Sequence, residues 1–589
     1  MGIFKKLGWF FKAEKKRYTW GLIFLLMADL AGLVPPRVIG ILADKMGAKQ
    51  LTLPLLFSWL GFLLLAAVVQ YLSRFGWRNM IWGGAATLER ELRTQLFSHF
   101  LKMDATFFQR HRTGDLMAHA TNDLNAVQNV AGAGILTFAD SILTGGTTIV
   151  AMLIFVDWRL TLVALLPMPL LAVMARVLGK HLHSAFSESQ AAFSRLNDKT
   201  QESVSGVKVI KTFGQEDEDV ADFEQIVDKT ITINKKVYRI DSLFDPITTL
   251  IIGLTYAITI AYGGHLVVTQ AITLGQLISF VAYIGALVWP MFAIGRLFNV
   301  IERGNASYDR VQELLNETSE AVTPKVAGTH SLHGDLDYQV SEFKYPDDPR
   351  VALKQIHFEL KQGQTLGLVG RVGAGKTTII KLLLREFDHY QGKITIGGHD
   401  IRDYNLDSVL ASIGYVPQEN FLFSTNIRDN IRFAAMTKPQ EEVEQAAKES
   451  AIHEDILNFS QQYDTLVGEK GVSLSGGQKQ RLSIARAIMT LPEILILDDA
   501  LSAVDAKTEA EILTDLKEDR DQKTTIIAAH RLSSVANADE ILVIDDGQIV
   551  ERGNHEELLA NDGWYAEMWR KQQIESQLGG ESNDAETNE

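Results

Sequence analysis

The sequence predicts a multi-domain membrane protein: an all-α six-helix transmembrane domain with long cytoplasmic extensions, followed by an α/β domain. Two observations predict this order. Long apolar stretches fill much of the first 300 residues, and a glycine-rich GRVGAGKT motif follows an apolar strand further along. The chain has 589 residues, and a single core rarely grows beyond about 250–300 residues. A mean hydropathy of +0.03 fits the average of a membrane half and a soluble half.

The predicted spans approach the length of about 20 residues that a helix needs to cross a bilayer. They cover residues 18–42, 53–72, 132–156, 160–178, 243–268 and 277–300. An even number of spans puts both termini on one side of the membrane. Residues 1–17 combine lysines with large apolar residues, which predicts an amphipathic elbow helix in the cytoplasmic interface. We therefore expect both termini in the cytoplasm.

Composition also divides the rest of the chain. Residues 73–131 and 179–241 are charged and helical in periodicity, which predicts that the spans continue into the cytoplasm. The transmembrane domain is thus expected at 18–315. A polar linker at 316–335 leads to the nucleotide-binding domain at 336–570. The acidic tail, residues 571–589, is expected to be disordered.

The glycine-rich motif predicts a phosphate-binding loop. Gly370, Gly375, Lys376 and Thr377 fit the pattern G-x-x-x-x-G-K-[ST] between a strand and an amphipathic helix. The glycines let backbone amides cradle phosphate, the lysine adds charge near the β- and γ-phosphates, and the threonine hydroxyl suits Mg²⁺. The expected ATP-binding residues here are Gly370, Arg371, Val372, Gly373, Ala374, Gly375, Lys376, Thr377 and Thr378.

A second stretch, residues 474–505, reads LSGGQKQRLSIARAIMTLPEILILDDALSAVD. Its polar turn suits backbone N–H groups that converge on phosphate at a helix N-terminus, and comprises Ser475, Gly476, Gly477 and Gln478. The run ILIL is apolar without alternation, as expected for a strand covered on both faces. Asp498 and Asp499 follow at its carboxyl end, where parallel sheets bind ligands.

These motifs, in this order, resemble the nucleotide-binding domain of an ABC transporter. The resemblance implies ATP and Mg²⁺ as cofactors and a fold of the exporter type. It implies that Tyr345 stacks on adenine, that Asp505 belongs to the D-loop and that residues 465–471 form a loop peculiar to exporters. The implied Mg²⁺ ligands are Thr377, Gln418 and Asp498, and the implied catalytic residues are Asp499, Gln418 and His530, whose side chain touches the γ-phosphate.

The same resemblance implies a partner. Regions at about 104–120 and 203–217 resemble the coupling segments of exporters, and six spans with one nucleotide domain make half a transporter. In this family each LSGGQ turn closes over the P-loop of the other chain. Asp499 stands where the family has a catalytic glutamate, and it is one methylene shorter. The chain thus resembles the degenerate-site subunit of bacterial heterodimeric multidrug exporters, whose partner is a non-identical half-transporter with the catalytic glutamate.

We therefore expect a subunit that exports hydrophobic or cationic small molecules across the bacterial cytoplasmic membrane, in contact with membrane lipids. Asp29 and Asp140 lie within predicted spans, where a charge is costly unless it faces a cavity. They are candidates for attracting cationic substrate groups, and hydrogen-bonded packing is the alternative.

Two other functions stay open. A homodimeric lipid flippase of the same fold would need Asp499 to support turnover in both sites, and a nucleotide-gated channel or regulatory subunit would transport little itself. The predicted spans exclude a soluble protein. The formal charge of −15 argues against nucleic-acid binding, which favours a basic face. The sequence has no cysteine, which excludes disulfides and thiolate metal sites.

Overall fold

The computed structural model describes residues 2–319, 332–346, 348–468, 474–520 and 522–586. They divide into two compact units. The first comprises Met1–Leu101 and Thr113–Glu317, and the second comprises Lys102–Arg112 and Thr318–Glu589. Residues 320–331 of the predicted linker and 469–471 of the predicted exporter loop lie outside the described residues.

The first unit is helical throughout the ranges that the structure describes. Its helices are α1 (Gly2–Lys6), α2 (Gly8–Ala13), α3 (Lys15–Gly32), α4 (Val34–Gly47) and α5 (Leu53–Phe100). The next helix, α6 (Ala105–Arg110), belongs to the second unit. The first unit then continues with α7 (Thr113–Ala118), α8 (Leu124–Asn129), α9 (Ile135–Phe155), α10 (Trp158–Leu165), α11 (Pro169–Ser205), α12 (Val207–Phe213), α13 (Glu216–Asp241), α14 (Phe244–Val268) and α15 (Leu274–Asn316). Two π-helical turns, His119–Asp123 and Val130–Gly134, flank α8.

Five helical stretches are long and apolar enough to cross a membrane: Lys15–Gly47, Leu53–Phe100, Thr113–Phe155, Trp158–Ser205 and Glu216–Val268. They cover the first five predicted spans. The sixth differs, because the apolar part of α15 found among the described residues is the shorter run Leu274–Pro290. Helix α5 alone has 48 residues, about 72 Å at 1.5 Å per residue, which is far longer than a bilayer core is thick.

The N-terminal segment forms two short helices rather than one. Ile3, Leu7 and Phe10 are completely buried within the first unit. Lys6 donates from Nζ to Asp309 Oδ1 at 2.6 Å, on α15. Ile3, Leu7 and Phe10 of this segment therefore pack on protein, whereas Trp9 is exposed.

The second unit is built on two sheets. Its strands are β1 (Leu336–Lys344), β2 (Val351–Leu360), β3 (Thr365–Gly370), β4 (Gln391–Ile396), β5 (His399–Asp400), β6 (Ile413–Val416), β7 (Ile494–Asp498), β8 (Thr524–Ala528), β9 (Glu540–Asp545) and β10 (Gln548–Gly553). An antiparallel sheet has the order β2-β1-β4-β5, and a larger sheet has the order β10-β9-β3-β8-β7-β6. Strands β9, β3, β8, β7 and β6 run parallel.

Helices cover both faces of the larger sheet, as its unbroken apolar strands require. Leu495 and Leu497 of β7 enter one buried cluster, and Ile494 and Ile496 enter the other. The helices are α16 (Lys376–Leu383), α17 (Leu406–Ser412), α18 (Ile427–Ile431), α19 (Gln440–Glu449), α20 (His453–Leu457), α21 (Gly476–Ile488), α22 (Ala506–Asp519), α23 (His555–Ala560) and α24 (Trp564–Glu586).

The second unit also includes a segment from far upstream, Lys102–Arg112. Asp104 caps α6 by accepting from the backbone N–H of Phe107, and Ser319 Oγ donates to its other carboxylate oxygen at 2.9 Å. Ala105 packs on the cluster that contains Ile494. Helix α6 of this segment lies within the first predicted coupling region, and α12 lies within the second.

The C-terminal residues differ from our expectation of a disordered tail. Helix α24 continues through residues 571–586 to Glu586. Tyr565 is completely buried, and Met568 and Trp569 pack against the same apolar cluster. These contacts anchor the start of the helix.

Candidate nucleotide-binding site

The order of the parallel strands brings the predicted site residues to one edge of the larger sheet. Strand β8 lies between β3 and β7, and β6 lies beyond β7. Each of these strands leads at its carboxyl end into one of the motifs: Asp498 is the last residue of β7, and the P-loop, His530 and Gln418 follow β3, β8 and β6. Ligands of open parallel sheets bind at this edge.

Backbone geometry explains the glycines of the P-loop. Gly370 has φ +147°, and a Cβ there would lie 2.1 Å from the carbonyl oxygen of Ile544. Gly373 and Gly375 also have positive φ, +80° and +113°. The backbone N–H of Gly547 donates to Ala374 O at 2.9 Å and ties the loop to the β9–β10 turn. Gly370 therefore has no room for a side chain, and the positive φ of all three positions favours glycine.

Lys376 begins α16 and is buried. Its ammonium donates to the carbonyl oxygens of Gly370 and Arg371 at 2.9 and 3.1 Å, so it lies over its own loop. Burial lowers the pKa of Lys376, and the nearby carboxylates of Asp499 and Asp498 oppose that shift. An anion at the loop would offer this ammonium a better partner than two carbonyls.

Thr377 and Asp498 join the P-loop helix to β7. The hydroxyl of Thr377 donates to Asp498 Oδ1 at 3.2 Å. The second carboxylate oxygen of Asp498 is buried, with no hydrogen-bond partner among the described residues. Burial raises the pKa of Asp498, the Thr377 hydrogen bond lowers it, and the charge of Asp499 raises it further. A hydroxyl beside an unpartnered carboxylate oxygen is a donor set that fits Mg²⁺.

Asp499 has an unusual backbone conformation, with φ +51°. Aspartate tolerates this left-handed region better than most residues. Its N–H donates to Ala528 O at 2.8 Å, and its carbonyl accepts from the hydroxyl of Ser502 at 3.0 Å. The backbone is thus fixed on both sides, and the half-buried side chain projects from a defined point next to Asp498.

Tyr345 stands beside the P-loop helix. Its hydroxyl shares a hydrogen bond of 2.9 Å with Thr378 Oγ1, and its ring meets those of Phe343 and Phe387 edge to face. Two aromatic contacts and a hydrogen bond hold a partly exposed ring in place. Such a ring can stack on a base.

The LSGGQ turn forms the start of α21 as an N-terminal capping box. Ser475 Oγ accepts from the backbone N–H of Gln478, whose side-chain oxygen accepts from the backbone N–H of Ser475. Ser475 and Gly476 are exposed, and Gly477 and Gln478 are partly exposed. The first turn of this helix is therefore open to an anion.

Two residues that link these motifs were not predicted from the sequence. The side chain of Gln480 accepts from Ala503 N–H at 2.9 Å and donates to Ser502 Oγ at 3.1 Å, which joins α21 to the D-loop. Arg531 donates to Val504 O at 2.9 Å. Neither shows a periodicity or spacing that could have predicted its contacts.

The remaining predicted residues occupy the ends of elements. Asp505 caps α22 by accepting from Thr508 N–H at 3.0 Å, and this backbone bond lowers the pKa of Asp505. Gln418 and His530 are exposed, after β6 and β8 respectively. Arg371, Val372 and Gly373 are exposed at the tip of the P-loop, and Thr378 is buried within α16.

In the first unit, one hydroxyl links the two aspartates that we singled out. Thr144 Oγ1 lies 2.9 Å from Asp29 Oδ1 and 3.2 Å from Asp140 Oδ1. The structure thus brings α3 and α9 together at a pair of carboxyls within predicted spans.

Comparisons with known proteins agree with this geometry. A family model described as "ABC transporter transmembrane region" matches residues 19–291, and one described as "ABC transporter" matches residues 353–502. A Bacillus subtilis protein named "Probable multidrug resistance ABC transporter ATP-binding/permease protein YheI" is 45% identical over 97% of this chain and 98% of its own length. The Escherichia coli "Multidrug resistance-like ATP-binding protein MdlA" is 42% identical over 98% of each chain.

A solved structure titled "Structure of a bacterial Atm1-family ABC exporter with ATP bound" superposes with a TM-score of 0.76 at 26% identity. It covers 95% of this chain and 98% of its own. The relatives match along nearly their whole length, so the membrane unit and the nucleotide unit are shared together. The chain therefore belongs to the ABC transporter family, as a multi-pass membrane exporter whose ATP-binding domain hydrolyses ATP to drive transport.

Proposed function

We propose that this chain is one subunit of a heterodimeric multidrug exporter and that the ATP site on its own P-loop hydrolyses slowly. One observation carries the proposal: an aspartate, Asp499, follows the β7 aspartate where the family has a glutamate. Its backbone is fixed by Ala528 and Ser502, so the chain cannot shift to compensate for the missing methylene. A misplacement of about 1 Å can cost on the order of 100-fold in rate.

The other residues of the site keep the roles that ATP binding requires. Lys376 and the P-loop amides would hold the β- and γ-phosphates, and Tyr345 would stack on adenine. Thr377, Asp498 and Gln418 would hold Mg²⁺, which supplies charge neutralisation at the phosphates. His530 would contact the γ-phosphate. ATP binding is thus retained while the group that orients water is set back.

The intact LSGGQ turn supports a second role for the chain. Its exposed capping box at the start of α21 would close over the P-loop of a partner half-transporter that carries the catalytic glutamate. Hydrolysis would then occur mainly at the site that combines the partner's P-loop with Ser475, Gly476, Gly477 and Gln478 of this chain. Asp505 of the D-loop would face the same interface.

The names of the two curated relatives support multidrug export as the transport activity. We place the subunit in the bacterial cytoplasmic membrane, with six spans and both termini in the cytoplasm. Two termini on the same side require an even number of spans, and α15, which continues past Leu274–Pro290 to Asn316, would supply the sixth.

Asp29 and Asp140 would attract the positive charge of a cationic substrate. Their shared contact with Thr144 places two carboxyls where an organic cation would be stabilised. Replacing both with Asn should weaken transport of a cationic dye and spare that of a neutral hydrophobic one. Asp157→Asn, at the N-cap of α10, is a matched control. Unchanged cation transport in the double variant would end this part of the proposal.

ATPase activity in lipid nanodiscs tests the main proposal. The chain alone should be nearly silent, Asp499→Glu should raise turnover on the order of 100-fold, and Asp499→Asn should not. Co-assembly with a glutamate-bearing partner should give activity without any substitution. Full turnover of the unmodified chain alone, lost in Lys376→Met and Asp499→Asn, would instead establish a homodimer with two competent sites.

A further inference from the structure

The loop that carries His530 is held by a side chain from the C-terminal helix. Gln572, on α24, accepts from the backbone N–H of Leu532 at 2.9 Å and donates from Nε2 to the carbonyl oxygen of His530 at 2.9 Å. One amide therefore binds two backbone groups that flank Arg531.

The geometry of this contact is that of a β-ladder pair. Arg531 is extended, with φ −86° and ψ 123°, so the carbonyl before it and the N–H after it point to the same side. A carboxamide presents one acceptor and one donor side by side, which matches these two groups as a neighbouring strand would. Leu532 also begins a 3₁₀ turn, whose first N–H has no partner within the turn.

The base of the loop is held by other bonds. Ala529 N–H donates to Leu368 O at 3.0 Å in β3, and Ala528 O accepts from Asp499 N–H. After Ala529 the chain leaves the sheet, and His530 itself is exposed. Beyond that point, Gln572 binds the backbone and Arg531 donates to Val504 O. These contacts therefore hold the backbone that carries the His530 side chain.

The helix that supplies Gln572 is itself anchored. Tyr565 is completely buried and shares a 2.7 Å hydrogen bond with His555 Nδ1, whose ring also meets that of Trp569. Gln572 follows Trp569 by less than one helical turn. The anchored helix therefore holds Gln572 in place, and Gln572 in turn holds the loop.

We propose that Gln572 is a positioning residue that sets His530 at the γ-phosphate. This proposal rests on the proposed function in one respect: His530 contacts the γ-phosphate. It predicts that loss of the Gln572 amide lowers the rate of the chemical step and leaves ATP affinity nearly unchanged, because the P-loop and Tyr345 are not touched.

A double-mutant cycle in the full chain tests this, in nanodiscs and on the Asp499→Glu background, where turnover at this P-loop is measured. Gln572→Met should lower kcat about fivefold or more, with KM for ATP changed less than about twofold. Gln572→Met combined with His530→Ala should lower kcat no further than His530→Ala alone, because both substitutions disable the same function. Gln572→Glu keeps only the hydrogen-bond acceptor, and its kcat should lie between that of Gln572→Met and that of the parent. Lys571→Met, on the same helix, is the control and should match the parent.

Hydrogen exchange gives a readout that does not depend on turnover. The Leu532 amide should exchange about tenfold faster or more in Gln572→Met than in the parent or in Lys571→Met. Losses that add to those of His530→Ala, or exchange that is unchanged, would overturn the proposal. A silent Asp499→Glu chain would count against the proposed degenerate site alone, and the exchange measurement would still decide the role of Gln572.

Discussion

Thr377 and Asp498 face each other across 3.2 Å and share one hydrogen bond, with the hydroxyl donating to the carboxylate. This contact joins the helix after the P-loop to the strand that ends in the aspartates. It leaves Asp498 Oδ2 buried and unpartnered among the described residues. A buried carboxylate oxygen without a donor is destabilising in the absence of a cation, by about 1–3 kcal/mol.

Asp498→Asn tests both the destabilisation caused by this carboxylate and its role as a Mg²⁺ ligand. The variant keeps an oxygen for Thr377 and removes the negative charge. We expect the nucleotide-free protein to gain about 1 kcal/mol in free energy of unfolding. Stabilisation by ATP should lose its dependence on Mg²⁺. Thermal unfolding with ATP, with and without Mg²⁺, measures both effects.

Asp407→Asn, an exposed aspartate of α17, is the control for charge alone and should change neither quantity. If Asp498→Asn keeps the Mg²⁺-dependent stabilisation by ATP, Asp498 is not a Mg²⁺ ligand.

The raised pKa of Asp498 gives the site a pH dependence. An acid whose folded-state pKa is raised penalises the folded state as it ionises. The nucleotide-free protein should therefore lose stability as the pH rises from the ordinary value of 3.8 through the raised pKa. Protons compete with Mg²⁺ in the same range, so Mg²⁺ affinity should fall on acidification. Unfolding and Mg²⁺ titrations across this range should show both trends, and Asp498→Asn should show neither.

Tyr345 offers a test of nucleotide recognition. Tyr345→Ala removes the ring and should weaken ATP binding by about 1–3 kcal/mol, the usual value of base stacking on an aromatic side chain. Tyr345→Phe loses only the hydrogen bond to Thr378 and should stay within about twofold of the parent. Binding of inorganic tripolyphosphate, which has no base, should be the same in all three. Weaker tripolyphosphate binding in Tyr345→Ala would point to damage of the P-loop instead.

Two glycines of the P-loop should respond differently to alanine. At Gly370 the added methyl would meet the backbone oxygen of Ile544 at 2.1 Å, whereas at Gly373 nothing lies within 4 Å. Gly373→Ala then carries only the strain of positive φ, about 1 kcal/mol. Gly370→Ala must also push apart β3 and β9 and should lose about 3 kcal/mol or fail to fold. Thermal unfolding and the yield of folded protein compare them, and equal effects would contradict this geometry.

The sequence predicted the features that depend on short, ordered motifs. The P-loop, the LSGGQ turn and the β7 aspartates appear where their strands and helices were expected, because backbone and ligand chemistry fix their residue types. The first five spans were predicted from hydropathy alone. Contacts across long separations left no such pattern: Gln572 lies in a segment that acidic composition marked as disordered, and Thr144 links Asp29 to Asp140 through a hydroxyl that any span could contain.

The inclusion of Lys102–Arg112 in the second unit means that this domain has no single boundary in the sequence. A protein cut at Thr318 for separate expression would keep Ser319 and lose Asp104, its hydrogen-bond partner. It would also uncover the apolar side chains against which Ala105 packs. The eleven-residue segment should restore solubility when added back as a peptide, much as a missing fragment completes a split protein.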